Sequence, residues 1–379
     1  MTNSINTLLP DLNERVTELG RLKKEGKKIV GYVCGGFMPE ELVWAAGAIP
    51  VGLNRGGDYD AVLKSTEFIP RFFDTFSRSQ IGYWALEEPL YRLIDLFVVP
   101  CTDKNISAIS DCWEMWTDTK VFKLGIPHNN ESEHAFKYYF EGLHLLKDEI
   151  EKLTGDSITD ENLKKEIRLS NRIRLLLRQI SESRKADQPP ISGKDFVKLH
   201  HASFLIDRDF MVRNLESLSQ ELGGTQGTIG PRMFLIGSSI AEGDYKIYDL
   251  LEPTGADVVI EDFSEGMRPY WQEMESNGDL IEALANGYFM KRTPPPAFFR
   301  PAKERASFLL KLAKDFRVDG IIWYSMMYRE AYDIEGMYFA NLAAKEGLPF
   351  IRIVTDYNTV EHVSMRTRIE AFTESIKGL

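Results

Sequence analysis

Cysteine is scarce in this chain: three in 379 residues, at Cys34, Cys101 and Cys112. None belongs to a Cys-x-x-Cys pair, and the eleven-residue step from Cys101 to Cys112 matches neither zinc nor ferredoxin spacing. A disulfide framework is excluded, and a reducing cytoplasm is the expected compartment. Long apolar runs are missing too. No segment approaches the roughly 18 apolar residues that cross a bilayer, and the opening MTNSINTLLPDLNERV lacks the basic-then-apolar layout of a secretory leader. Basic charge is in deficit: 46 Lys and Arg against 57 Asp and Glu leave a net charge of −11. That argues against nucleic acid, whose binders need a basic face to displace counterions. It does not exclude a small anionic ligand, because a few lysines, arginines and helix N-termini hold phosphate locally. GxSxG, HExxH and paired-carboxylate patterns are absent, as are GxGxxG and a Walker lysine.

What is present is an ordinary globular composition, 43% hydrophobic and 27% charged, in a chain too long for one typical domain. Short β-rich apolar runs alternate with helical stretches, which predicts parallel sheets covered by helices. In the first third, KIVGYVC, Ile49–Leu53, LIDLFVV and Val121–Leu124 read as strands, with helices over Pro39–Gly47 and Ile106–Trp116. From Glu131 to about Leu222 the strand signal vanishes and helical spacing takes over. After it, MFLI, DVVI, GIIWY and PFIRIV mark a second set of strands, with helices over Tyr245–Leu251, Gly336–Lys345 and the closing MRTRIEAFTESI. The expected fold is α/β, two Rossmann-like parallel-sheet domains (1–130 and 226–379) joined by a helical segment (131–225). Two similar halves suggest an ancient duplication, and ligands of such folds bind at the C-terminal strand ends.

Position therefore singles out Cys34, which ends the first strand in GYVCGGFMPEELVWAAGAIPVGL. A thiol there can ligate metal or attack, and Gly35-Gly36 lets a cofactor approach the backbone; a small apolar residue at a strand end is the structural alternative. The turn Gly237-Ser-Ser-Ile-Ala-Glu-Gly243 follows a strand and can offer hydroxyls to a phosphate or carbonyl, or simply connect two elements. His200 and His201 are adjacent on a predicted helix and point apart, which favours packed or surface histidines over metal ligands.

The segments GYVCGGFMPEELVWAAGAIPVGL, DLFVVPCTDKN, DGIIWYSMMYREAYDIEG and IVTDYNTVEHVSMRTRIEAF, in that order, resemble the 2-hydroxyacyl-CoA dehydratase and benzoyl-CoA reductase family, of the D-component type. A strand, a Pro-Glu helix start and an Ala-Ala-Gly-x-x-Pro turn recur there, and the resemblance spans nearly the whole chain. It implies subunits that pair, typically as two unlike chains, with [4Fe–4S] clusters near the domain cleft. A separate ATP-dependent iron–sulfur activator supplies one electron for radical dehydration of a 2-hydroxyacyl-CoA or reduction of an aromatic thioester. The Cys34 segment is more similar to a branch that carries a double-cubane cluster.

Departures from the family pattern fall on its cluster ligands. FFDTFSRSQIG keeps Arg78, Ser79 and Gly82 but has Asp74 at the cysteine position. Pro100 is followed by Cys101-Thr102-Asp103, which puts Thr102 at the second ligand position, or Cys101 after a one-residue shift. The third position reads Arg329, and the further cysteines of the double-cubane branch are replaced by Phe263, Thr293 and Pro295. Iron–sulfur clusters demand thiolates; Asp74 or Thr102 can supply oxygen, but Arg329 cannot ligate and suits a carboxylate, thioester oxygen or phosphate. The expectation is a subunit of a heteromeric acyl-CoA dehydratase or reductase, contributing half of the substrate cleft beside a homologous cysteine-bearing partner. Its cleft candidates are Asp74, Arg78, Ser238, Ser239, Tyr328 and Arg329, with an Asp74–Arg78 pair one helical turn apart as the structural alternative. A [4Fe–4S] cluster is expected in the complex, held mainly by the partner. Cys34 and Cys101 are this chain's metal-ligand candidates, for a cluster shared across a dimer interface. The competing expectation is a cluster-free paralogue acting as a ligand-binding, scaffold or regulatory subunit.

Overall fold

The apolar runs form strands close to where the alternation places them. In the first domain they are β1 (Ile29–Val33), β2 (Ile49–Leu53), β3 (Leu96–Cys101) and β4 (Lys120–Gly125). In the second they are β5 (Arg232–Gly237), β6 (Asp257–Asp262), β7 (Gly320–Met326) and β8 (Phe350–Thr355). This computed structural model describes residues 12–223, 227, 230–263, 267–291, 303–358, 360 and 362–378. Each set of strands makes one wholly parallel four-stranded sheet, and both follow the same order, β2-β1-β3-β4 and β6-β5-β7-β8. The fold is α/β with two domains, as the alternation implies. Every residue of β1 and β7 is buried, whereas the edge strands β4 and β8 are partly exposed, the burial expected of central and edge positions in a helix-covered sheet.

The two sheets also start in the same way. In the first, Ile29 N donates to Asp95 Oδ2 at 2.8 Å while Asp95 N donates to Ile29 O at 2.8 Å. In the second, Arg232 N donates to Asp319 Oδ2 at 2.7 Å and Asp319 N donates to Arg232 O at 2.8 Å. Each aspartate immediately precedes the strand that pairs with its partner, so it satisfies the first strand amide and fixes the register of the two central strands.

Helices enter by the local chemistry anticipated for them. Pro39 precedes the helix Glu40–Ala45, and Gly47 turns the chain out at φ 71°, a left-handed conformation that glycine adopts without steric cost. The helices Glu133–Thr154, Asp160–Ser183, Gly193–Ala202 and Arg208–Leu222 fill the stretch between the sheets in sequence. They do not pack apart from them. Leu143, Leu146, Leu163 and Ile167 share a core with Val30 and Leu96 of the first sheet, while Leu176, Leu177 and Leu215 share one with Phe234 and Val259 of the second. The helix Asp160–Ser183 thus begins on one sheet and ends on the other. A third cluster contains Val33 and Val99 together with Met233 and Ile322, joining both domains in one core.

Short helices at Tyr59–Lys64, Thr75–Ala85 and Leu280–Ala285 are not delimited by the apolar pattern. Nine of the eleven residues of Thr75–Ala85 are buried, including Ser77, Arg78, Ser79 and Gln80, so its buried face carries no apolar period to read. The last sheet helix starts at Glu330, six residues before Gly336. Among the described residues no helix is long and apolar enough to cross a membrane. Thr293 and Pro295 lie outside the described residues.

Glycine at 237 is required by packing. A Cβ there would lie 1.5 Å from the carbonyl oxygen of Tyr324 on the neighbouring strand, so Gly237→Ala must push β5 and β7 apart. Gly20, inside the helix Leu12–Lys24, has nothing within 4 Å of such a methyl. In urea unfolding, Gly237→Ala is expected to lose several kcal/mol or to fail to accumulate as soluble protein. Gly20→Ala is expected to gain about 0.5–1 kcal/mol.

Candidate functional site

In each sheet the winding direction reverses between the two central strands, which opens a crevice at their C-terminal ends. Those ends carry Cys34 after β1, Thr102 and Asp103 after β3, Ser238 and Ser239 after β5, and Tyr328 and Arg329 after β7. The strand-end loops of the two domains meet there. Arg55 forms a β-bridge with Glu242, Glu242 N donates to Asn54 O at 2.8 Å, and Lys104 pairs with Glu330 at 2.5 Å.

At the centre of this junction stands Arg329, only 4% exposed. Its Nη1 lies 3.3 Å from Asp74 Oδ2 and its Nη2 lies 3.3 Å from Asp103 Oδ2. Asp74 is fully buried at the N-cap of the helix Thr75–Ala85, where its carboxylate accepts from Ser77 N at 2.8 Å and from the Ser77 hydroxyl at 3.0 Å. Asp103 caps the helix Lys104–Trp116, accepting from Asn105 N at 2.8 Å and Ile106 N at 3.1 Å. Both caps are ordinary helix-start chemistry; together they aim two carboxylates at one cation. Asn105 ties the group together, accepting from Asp74 N at 3.0 Å and donating to Tyr328 O at 2.9 Å. Tyr328 itself sits at φ 70°, a left-handed conformation that costs a non-glycine residue about 1–2 kcal/mol and that turns the chain immediately before Arg329. Burial raises the Asp74 carboxyl above the ordinary aspartate range. Arg329 and the Ser77 amide offset part of that rise, and the neighbouring Asp103 adds to it.

The structure thus brings Asp74 and Arg329 together, and adds Asp103 and Asn105, which the apolar and motif patterns do not single out. The readable signal is Asp103 itself, a capping residue placed directly before a helical run. Arg78 does not pair with Asp74; its Nη2 donates to Val62 O at 2.9 Å, and burial lowers its pKa, with Arg71 adding to the effect. Ser238 is fully buried, its hydroxyl accepting from Met326 N at 3.0 Å, which holds the end of β7; Ser239 is buried beside it. Tyr328 is 43% exposed at the mouth of the junction. Cys34 and Cys101 lie in separate core clusters on opposite faces of the first sheet, Cys34 with Tyr32 and Val98, Cys101 against Val99 and Ile109. The Cys101 thiol is pushed up by burial, which disfavours the thiolate a metal needs. His200 and His201 are both buried; His201 Nδ1 meets the Tyr245 hydroxyl at 3.0 Å and His200 packs edge-on against Tyr270. Phe263 is buried in the core.

The three positions that resemble cluster-ligand sites, Asp74, Thr102 and Arg329, do not fit an iron–sulfur cluster. Arg329 fills the space between two carboxylates with a permanent cation, and no thiol lies among Asp74, Thr102, Asp103 and Arg329. Among the described residues, no group of three or more His, Cys, Asp or Glu side chains is placed to hold a metal ion. What this arrangement can do is present one edge of an arginine, two ionisable carboxyls and a strained tyrosine turn at a domain junction.

The chain is 25% identical over 363 residues to the dehydratase-type protein YjiM of Escherichia coli (strain K12), an alignment that covers 94% of this chain and 93% of that protein. It is 20% identical over 375 residues to one of the subunits of benzoyl-CoA reductase from Thauera aromatica, covering 98% and 96%. It is 21% identical over 366 residues to the beta subunit of (R)-2-hydroxyglutaryl-CoA dehydratase of Acidaminococcus fermentans, covering 95% of each. The profile of the family described as 2-hydroxyglutaryl-CoA dehydratase, D-component, matches residues 36–376, and the chain belongs to that family.

Proposed function

We propose that this chain is one subunit of a heteromeric acyl-CoA dehydratase or reductase, contributing half of the substrate cleft beside a homologous partner that holds the [4Fe–4S] cluster. The observation that carries this reading is the buried Asp74–Arg329–Asp103 group, which stands where a ligand-bearing relative would present thiols and offers none. The subunit names of the relatives support a complex of more than one chain. In this reading Arg329, Asp74 and Tyr328 shape the wall of an acyl-CoA cleft, Arg78, Ser238 and Ser239 support it, and an ATP-dependent iron–sulfur activator serves the partner. Any metal contribution of Cys34 or Cys101 would then be made across the subunit interface. The same ion group favours a second reading, a cluster-free paralogue that binds a ligand or partner as a scaffold or regulatory subunit.

Iron and sulfide analysis separates these. Purified anaerobically, the lone chain is expected to be colourless with only trace iron. Co-purified with the product of the adjacent gene, it is expected to give a brown complex that turns over a 2-hydroxyacyl-CoA or aromatic acyl-CoA once an activator and ATP are added. A stable colourless complex without turnover supports the second reading, and a full four-iron cluster in the lone chain overturns both.

Arg329 should also be a large determinant of stability. Arg329→Met leaves two carboxylates, one of them fully buried, without their cation, and is expected to cost about 3–5 kcal/mol in urea unfolding near neutral pH. Adding Asp74→Asn is expected to recover part of the loss. The sign of the pH dependence follows from Asp74, whose carboxyl is raised on folding. Such a group contributes stability that is present below its unfolded pKa and lost as pH rises through its folded pKa. Removing the arginine raises it further, so the deficit of Arg329→Met should grow between about pH 5 and about pH 8; equal deficits at both would count against the role of Asp74.

A further inference from the structure

A second cavity opens at the C-terminal end of β1, on the sheet face away from Val33 and Val99. Gly35 and Gly36 form one wall, at φ 154° and 76°, and a Cβ on Gly35 would meet nothing within 4 Å. Helices of the segment between the two sheets close the rest through Ser170, Arg174, His200 and Arg208, with Ser203 just beyond the end of Gly193–Ala202. The free volume is small, about 70 Å³: room for a short acyl group and none for a nucleotide.

Its polar groups are unusual in what they leave unused. Two adjacent glutamates start the helix Glu40–Ala45 and are treated differently. Glu41 is fully buried, paired with Arg174 Nη2 at 2.6 Å and accepting from the Tyr288 hydroxyl at 2.9 Å. Burial raises the Glu41 carboxyl, but the Arg174 guanidinium outweighs that and holds it below the ordinary range, so it stays ionised. Glu40 lines the cavity, accepts from the Tyr32 hydroxyl and forms no ion pair among the described residues. Arg208, 6% exposed, pairs with Glu166 and donates through Nη1 to Ser170 Oγ at 2.9 Å, yet its Nε has no hydrogen-bond partner among the described residues. Ser170 Oγ, used as an acceptor there, keeps its own hydrogen to donate. The unspent groups are therefore hydrogen-bond donors, and a ligand that satisfies them must bring oxygen acceptors.

We propose that this cavity is a binding site for a short-chain carboxylate, held through its oxygens by Arg208 Nε, the Ser170 hydroxyl and the carboxyl of Glu40. Burial raises the Glu40 carboxyl to about 7, Glu41 adds to the rise, and Tyr32, Arg208 and Arg174 reduce it, so its proton is present at and below neutrality. Paired carboxyls whose environments push their ionisation apart mark acid–base and ligand sites in general. The groups facing Glu40 are Tyr32 on β1, Glu41 on its own helix, Arg174 on Asp160–Ser183, Arg208 on Arg208–Leu222 and Tyr288 after Leu280–Ala285, with His200 and Tyr270 across the cavity. The proposal does not depend on the reading of the Arg329 junction.

The test uses the full chain with three small probes that share an ethyl group and differ in their head, propionate, propionamide and ethylammonium, followed by saturation-transfer NMR. Propionate is expected to bind at about pH 6 and about tenfold more weakly at about pH 8, because binding needs the Glu40 proton and affinity falls as pH rises through its folded pKa. Glu40→Gln keeps a donor and should bind propionate with no pH dependence. Ser203→Leu, which fills the cavity from its rim, should abolish binding while leaving the unfolding midpoint near that of the parent. Ethylammonium should not bind, and propionamide should bind weakly and independently of pH. Four results would overturn the proposal: no propionate binding, preference for the cation, survival of binding in Ser203→Leu, or pH dependence that persists in Glu40→Gln and so does not come from that carboxyl.

Discussion

Arg329 holds the strand ends of two domains with one guanidinium. Its two acidic contacts come from the first domain and its backbone from the second, and all three groups are shielded from water, where charge contacts are least screened. Neither carboxylate is present for the arginine alone: Asp74 and Asp103 each cap a helix, and those capping bonds fix their rotamers before the cation arrives. The arginine in turn is aimed by Tyr328, whose left-handed backbone is pinned by the Asn105 amide. Remove the arginine and the two caps remain, but their charges face one another without a cation. Such interlocked polar groups are specified together or not at all.

The shared strand order of the two domains gives this junction its logic. Both domains use an aspartate before the third strand of the sheet to latch the first, and both place a helix directly after that third strand. At the start of that helix the first domain has Asp103 and the second has Arg329. Topologically equivalent points of the two domains carry opposite charge and pair. Hard oxygen atoms and a permanent cation occupy this place, and their mutual attraction links the two domains.

Much of this architecture was legible in the residues. Strands such as Ile49–Leu53 and Asp257–Asp262 announce themselves by β-branched runs, and the Pro39-to-Gly47 helix by its end residues. The Thr75–Ala85 helix was not, since its buried face is built from Ser77, Ser79 and Gln80, which satisfy themselves through hydrogen bonds that periodicity does not encode. Of the site, Asp74 and Arg329 could be named from family-like positions, but their partnership could not, because they are 255 residues apart. The sequence-local pair, Asp74 with Arg78, satisfies helical spacing and loses to a tertiary partner: Arg78 is drawn to the Val62 carbonyl instead.

Three carboxyls, Asp74, Glu41 and Glu40, are met differently by the fold, and comparing them explains why the β1 cavity differs from the junction. Asp74 and Glu41 each have a guanidinium in contact, so their charge is met within the fold. Glu40, next to Glu41 in sequence, has a tyrosine hydroxyl and, among the described residues, no paired cation, because the two arginines near both, Arg174 and Arg208, are paired with Glu41 and Glu166. A carboxyl in that position is stable as the acid, and an acid is a donor. It shares its cavity with an arginine nitrogen that also lacks an acceptor among the described residues. Folded proteins rarely leave two such groups unmet beside one space without something to meet them. The junction is closed by its own charges; the cavity is closed only when an oxygen-bearing guest supplies what the chain withholds.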